Sequence, residues 1–170
     1  GNVLDGIVTI SEESAAWYKE HLGVKRAYSM PIIRNDQTFD GQRAARKPLA
    51  AEYLRTHQLE GKKVGLFVGR LVPLKNVDNL LRALWNIRQT APGACFIIVG
   101  DGPEREPFER QEKALGLDAC VHFIGALQGD ALMAWYEVAD FFVLPSWQEA
   151  FGAVVNEALL CGCKAYISCY

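Results

Sequence analysis

The chain has 170 residues, half of them hydrophobic and 22% charged, with a formal net charge of −2. That length suits one domain, or one domain plus part of another, and the apolar share is enough to build a core. No apolar run approaches the ~18 residues of a membrane span, Asp5, Glu12 and Glu13 interrupt any early leader-like stretch, and an acidic chain without a nucleic-acid-binding signature is not expected to bind nucleic acid.

In chain order, residues 1–35 read as strand, helix, strand. Val3 to Ile10 is apolar with a β-branched bias, Ser11 can cap a helix that runs to about His21 and stops at Gly23, and Tyr28 to Ile33 is a second short apolar stretch. Residues 36–48 are polar, contain Gly41 and Pro48 and show no apolar period, so a linker is expected there, with a short helix over 49–57. From Lys62 a regular rhythm begins. Val64–Val68, Cys95–Val99, Cys120–Ile124, Phe141–Leu144 and Ala165–Ser168 are short continuous apolar runs bounded by Gly, Pro or Asp, as buried strands are. Between the first two lies Asn76–Gln89, whose Val77, Leu80, Leu81, Leu84 and Ile87 share one helical face. Glu104–Leu115, Asp130–Val138 and Phe151–Leu160 are further helix candidates. Strands alternating with helices predict an α/β fold: a Rossmann-like parallel sheet with helices on both faces, whose ligand sits at the carboxyl ends of the strands. A chain that stops at Tyr170, in or just after a strand, is expected to be truncated.

Charge is unevenly spread. Residues 25–75 hold 11 Lys and Arg against 4 Asp and Glu, a segment that can meet phosphate or form a solvated basic surface. The five cysteines (Cys95, Cys120, Cys161, Cys163, Cys169) form no Cys-x-x-Cys pair, and His21, His57 and His122 do not stand at metal-ligand spacing from them. A reducing, cytoplasmic setting is therefore expected, with neither a zinc site nor a disulfide framework.

Three loops carry the chemistry. Gly69-Arg70-Leu71-Val72-Pro73-Leu74-Lys75-Asn76 follows the first buried strand and puts two cations beside a helix start, a setting suited to a diphosphate. The same cations could instead form surface pairs with nearby acids. Gly100-Asp101-Gly102-Pro103 is a tight turn where backbone can approach a ligand, but neither it nor the first loop is a G-x-G-x-x-G fingerprint, which argues against a nicotinamide or flavin site. Pro145 to Glu157 is the most informative. It places Glu149 before a helix, the Phe151 and Gly152 amides at its start, and Glu157 about two turns in. Carboxylates accept from vicinal hydroxyls and free amides suit phosphate, which is the order of groups in a nucleotide sugar. Alternatively, Glu149 merely caps the helix and Glu157 is exposed.

Taken together, these stretches resemble the C-terminal domain of GT-B-fold retaining glycosyltransferases of the "glycosyl transferases group 1", or family 4, type. The resemblance is carried by Val68-Gly69-Arg70-Leu71 with Lys75, Val99 to Pro103, Val121-His122-Phe123-Ile124-Gly125, Tyr136-x-x-Ala139-Asp140 into Leu144-Pro145-Ser146, and Glu149-x-Phe151-Gly152 through Glu157-Ala158-Leu159 to Cys161-Gly162, with the two glutamates eight residues apart. It covers roughly residues 60–168, while residues 1–35 are similar to the last strand-helix-strand of the family's N-terminal domain.

The resemblance implies transfer of a sugar, as a hexosyltransferase does, from a nucleotide-diphosphate sugar to an acceptor with retention, in polysaccharide, lipopolysaccharide or capsule synthesis. It implies Arg70, Lys75 and Glu149 as catalytic-site residues, with Gly69, Gly102, Pro103, Phe123, Ile124, Gly125, Phe151, Gly152 and Glu157 binding donor. Arg70 and Lys75 would grip the diphosphate, Glu149 would face the sugar, Glu157 the ribose, and Phe123-Ile124-Gly125 the base. The domains it implies are 1–35 (end of the acceptor domain), 36–60 (interdomain linker and short helix) and 61–170 (an incomplete nucleotide-sugar-binding domain). The glycan or lipid-linked acceptor would bind through the missing N-terminal domain, so the piece alone is expected to be inactive. The full-length protein would be cytoplasmic, with peripheral attachment at the inner membrane face an option. No cofactor is expected, and no metal, since no Asp-x-Asp occurs and Arg70 and Lys75 can take the leaving-group charge. Two departures stand out: Lys75-Asn76 replaces the more usual Lys-Gly, where Asn suits a helix cap, and Ala165-Tyr166-Ile167 replaces Pro-Val-Ile. Other readings are a non-catalytic nucleotide-sugar-binding module and another GT-B enzyme, an epimerase or a phosphorylase. A phosphorylase needs a pyridoxal-bearing lysine, and nothing marks Lys164 for that role.

Overall fold

The computed structural model describes residues 6–30, 36–149 and 152–168, with only the backbone of 36–41. The chain divides into two compact units, residues 1–39 and 40–170. In the first, β1 (Ile7–Thr9) pairs in parallel with β2 (Ala27–Ser29), joined by α1 (Glu12–Leu22). Ser11 caps α1, its hydroxyl accepting from the Ser14 N–H at 3.1 Å, and Gly23 ends the helix in a left-handed conformation, φ 63°. Both strands are shorter than the apolar stretches predicted them, and the flanking residues 1–5 and 31–35 lie outside the described residues.

The segment expected as a linker is helical. One helix, α2 (Asp36–Thr56), runs through Pro48 and replaces both the linker and the short helix after it. Its own apolar period is weak, and tertiary contacts account for it. Arg46 is 1% exposed and pairs with Glu137 at 3.4 Å. One turn and more beyond Pro48, the Tyr53 ring stacks on Trp135 at 4.4 Å and His57 meets the same indole at 5.2 Å. Such anchoring outweighs a proline's local cost when a helix is held by packing rather than propensity.

The second unit is built on five parallel strands in the order β5-β4-β3-β6-β7. These are β3 (Lys63–Val68), β4 (Ala94–Val99), β5 (Val121–Gly125), β6 (Phe141–Leu144) and β7 (Lys164–Ile167). The connecting helices are α3 (Val77–Ile87), α4 (Arg105–Ala114), α5 (Gly129–Val138) and α6 (Ala153–Leu160). The predicted parallel α/β sheet is therefore present, with every helix in its expected place. Growth runs outward from β3 through β4 to β5, then returns to β6 on the other side of β3. Right-handed crossovers put α3 and α4 on one face of the sheet and α5 and α6 on the other. Leu66, Phe67, Ile97, Ile98 and Phe142 are fully buried between these layers.

The reversal creates a topological switch between β3 and β6. The loops leaving their carboxyl ends must diverge to opposite faces, and the crevice between them is where such sheets bind ligands.

Candidate active site at the switch between β3 and β6

The β3–α3 loop carries Gly69, Arg70, Lys75 and Asn76. It is sewn to the β4–α4 loop beyond the strands themselves. The Gly69 N–H donates to the Val99 carbonyl (3.0 Å), Leu71 to Asp101 (2.9 Å), Glu104 back to Leu71 (3.1 Å), and Gly100 to Gly125 at the end of β5 (2.8 Å). Gly100 and Gly102 permit this closeness, because a Cβ at Gly100 would lie 1.8 Å from the Gly69 carbonyl oxygen and one at Gly102 would lie 2.3 Å from that of Leu71. Gly102 thus presses against the backbone of the Arg70 loop at Leu71.

Pro73–Lys75 forms one short 3-10 turn that ends at Asn76 in the left-handed region, φ 58°. Asn is the side chain that tolerates this conformation best after glycine, which accounts for its place after Lys75. It does not act as the expected cap: its side chain makes no capping bond to α3. Instead Nδ2 donates to the Pro145 carbonyl at 3.0 Å, across to the loop after β6, and Asn79 Nδ2 donates to Asn76 Oδ1 at 2.7 Å. A second tie, from the Trp147 N–H to the Leu74 carbonyl at 2.8 Å, holds the same two loops together.

Between those ties the Lys75 ammonium meets the Glu149 carboxylate. Lys75 is therefore paired, but with another site residue rather than a surface acid. Glu149 makes no hydrogen bond to the start of α6 among the described residues, and its carboxylate is turned to Lys75 instead. Arg70 is exposed and has no acid partner among the described residues. Gly152 is buried, with φ 66°, and a Cβ there would sit 3.3 Å from Glu149 Cγ, so the glycine lets the glutamate lie over the start of α6. Phe151, expected to offer an amide here, lies outside the described residues.

Glu149 and Gly152 line a cavity of about 280 Å³ together with Leu144, Ser146, Asn156 and Ser168. Ser168 Oγ donates to the Ser146 carbonyl at 2.5 Å and closes one wall. The Ser146 hydroxyl is buried, with no hydrogen-bond partner among the described residues. Ser146, Asn156 and Ser168 were not singled out from sequence as site residues; the only signal was the Pro-Ser step directly after a strand.

Glu157 does not join this lining. At 100° per residue the helix presents Asn156 to the cavity and turns Glu157 toward α5. There, burial and the facing Glu157 carboxylate hold the Tyr136 phenol well above its ordinary pKa. Phe123 and Ile124 also lie elsewhere, in a shallow depression beside α4 with His57, Glu112 and Asp118, while Gly125 meets the site side through its carbonyl. Burial pushes the thiols of Cys161 and Cys163 up to about 12 and about 11, so neither is a thiolate nucleophile at neutral pH. No group of three metal-ligating side chains is found among the described residues, and none of their helices is long and apolar enough to cross a membrane.

An arginine and a lysine on one loop, the lysine meeting a carboxylate that lines a cavity at the strand ends of a switch point, can bind a diphosphate next to a polyol. Comparison with known proteins points the same way. Residues 51–167 match the family described as glycosyl transferases group 1. The chain is 35% identical over 123 residues to 2-deoxystreptamine N-acetyl-D-glucosaminyltransferase of Streptomyces fradiae, an alignment covering 71% of this chain and 29% of that protein. Among solved structures it is similar to WaaG, a glycosyltransferase involved in lipopolysaccharide biosynthesis, with 24% identity and a TM-score of 0.74 over 94% of this chain and 43% of that one. It is also similar to Anabaena Alr3699/HepE in complex with UDP, with 22% identity and a TM-score of 0.73 over 95% of this chain and 44% of that one. The fold is that of the GT-B glycosyltransferases, and the chain spans about a third of the length of the curated relatives it matches.

Proposed function

We propose, for a chain that belongs to the glycosyl transferases group 1 family, that the switch-point cavity is the donor site of an enzyme that transfers a hexosyl group from a nucleotide-diphosphate sugar. The observation that carries this reading is the meeting of Lys75 and Glu149 at the rim of a polar cavity, with Arg70 exposed on the same loop as Lys75.

In this reading the diphosphate lies between Arg70 and Lys75. Breaking the bond from the sugar to the diphosphate leaves negative charge on the departing phosphate oxygen, and two fixed cations stabilise that charge without a metal. Glu149 accepts from sugar hydroxyls and orients the ring. The buried Ser146 hydroxyl is positioned to take part in the same recognition. Glu157 serves the ribose hydroxyls only by exchanging its contact with Tyr136 for them, so its contribution is the smallest of the four charged residues. Gly102, Pro103 and the Gly125 end of β5 form the floor, and the base lies along Phe123–Gly125 through backbone groups. Retention of configuration, a glycan or lipid-linked acceptor bound by parts of the protein outside this chain, a cytoplasmic location, and a role in lipopolysaccharide or capsule synthesis belong to the same proposal. Its support is the family membership together with the kinds of transferase this chain is similar to.

The test is thermal unfolding of the chain with UDP, GDP, ADP and their hexose conjugates. A ligand at 100 times its dissociation constant stabilises by about 2.7 kcal/mol, a rise of several degrees at this size. Lys75→Ala should lower that rise, and Lys75→Ala combined with Arg70→Ala should abolish it. A rise that survives both Lys75→Ala and Arg70→Ala would place the nucleotide elsewhere.

A further inference from the structure

Lys75 and Glu149 come from different loops, one after β3 and one after β6, and their contact is flanked by ties on each side. The Trp147 N–H bonds the Leu74 carbonyl at 2.8 Å and Asn76 Nδ2 bonds the Pro145 carbonyl at 3.0 Å. Asn76 is buried, and Asn79 fixes its amide. The side chains are also partly shielded, with 17% of Lys75 and 31% of Glu149 exposed. Exposed ion pairs gain little because two long side chains must be ordered to make them. Here the loops already hold both backbones in place.

We infer that this ion pair is a latch that makes the site favour a nucleotide sugar over the bare nucleoside diphosphate. The inference rests on the donor-site reading above. A diphosphate that draws on the Lys75 N–H now donated to Glu149 weakens the ion pair and leaves the carboxylate short of a partner in a partly desolvated place. The hydroxyls of a donor sugar replace that partner by donating to the carboxylate. A bare nucleoside diphosphate brings no such donors, so it pays the full cost of opening the pair. Once the sugar has been transferred, Glu149 loses its hydroxyl partners and reclaims Lys75, which speeds departure of the nucleotide product. The pair thus acts on selection and on release, with no residue beyond those already in contact.

Calorimetric titration of the chain with the nucleoside diphosphate and with its hexose conjugate tests this. Glu149→Gln removes the negative charge and keeps the size. It should bind the bare nucleoside diphosphate about fivefold tighter and the nucleotide sugar more weakly, so that the preference of the wild-type chain collapses. In a Lys75→Met background the same Glu149→Gln change should leave bare-nucleotide affinity unaltered, because no cation remains to compete for. Equal tightening in that background would mean simple repulsion between Glu149 and phosphate and would overturn the latch. A wild-type chain that binds both ligands, joined to a Glu149→Gln variant that binds the bare nucleotide no tighter, would sink the latch and leave the donor site standing. A wild-type chain that binds neither would sink both. Glu149→Asp, which shortens the reach but keeps the charge, guards against a misfolded Gln variant and should tighten bare-nucleotide binding by less.

Discussion

The two sides of the switch point are built differently. On one side, β3 and β4 are buried almost from end to end, and their loops continue the strand pairing past the sheet, rung by rung from Gly69 to Gly125. On the other, β6 alternates between buried and half-buried. The proposed phosphate-gripping groups ride on the first side and the sugar-facing carboxylate on the second.

That contrast can be broken by substitution. Ile97→Ala, in the middle of β4 and fully buried, should cost about 3 to 4 kcal/mol in denaturant unfolding. Gly100→Ala should cost about 2 to 3 kcal/mol, because its Cβ would meet the Gly69 carbonyl and force the sewn loops apart. It should also weaken nucleotide binding, which Ile97→Ala should not. A smaller effect is expected on acidification. Burial, His57 and Lys62 hold His122 below the ordinary histidine pKa. A group whose folded value is depressed in this way stays neutral in the fold while the unfolded chain protonates. Stability should therefore be full above about pH 6.5, decline as pH falls from there toward the folded value, and lose that decline in His122→Gln. Smallest of all, Tyr166→Thr on the exposed edge should change stability by no more than about 0.5 kcal/mol. A loss as large as that of Ile97→Ala would show that the two sides are not different in kind.

Much of the fold was legible because buried parallel strands are continuous apolar runs, and Val64–Val68 and Cys95–Val99 needed no context to be read. The helix α2 was not legible, since it depends on Arg46 meeting Glu137 and on Tyr53 meeting Trp135, contacts no local pattern encodes. At the site, Lys75 and Glu149 were both named from their loops, but their contact was not, because it follows from strand order and not from spacing. Helical spacing placed Glu157 two turns along but could not say which face would be turned inward, and Asn156 took the cavity instead. Asn76 looked like a cap by residue type. The left-handed backbone forced by the turn freed its side chain to reach Pro145.

The continuous rungs from Gly69 through Val99 and Asp101 to Gly125 carry a consequence for how chains of this plan can vary in length. A residue inserted after Val68 or after Val99 would shift one loop out of step with its neighbour and break several bonds at once. The loop after β6 is tied as well, to the β3 loop at Pro145, Trp147 and Glu149 and to Ser168 at Ser146, so the same constraint on length extends to it.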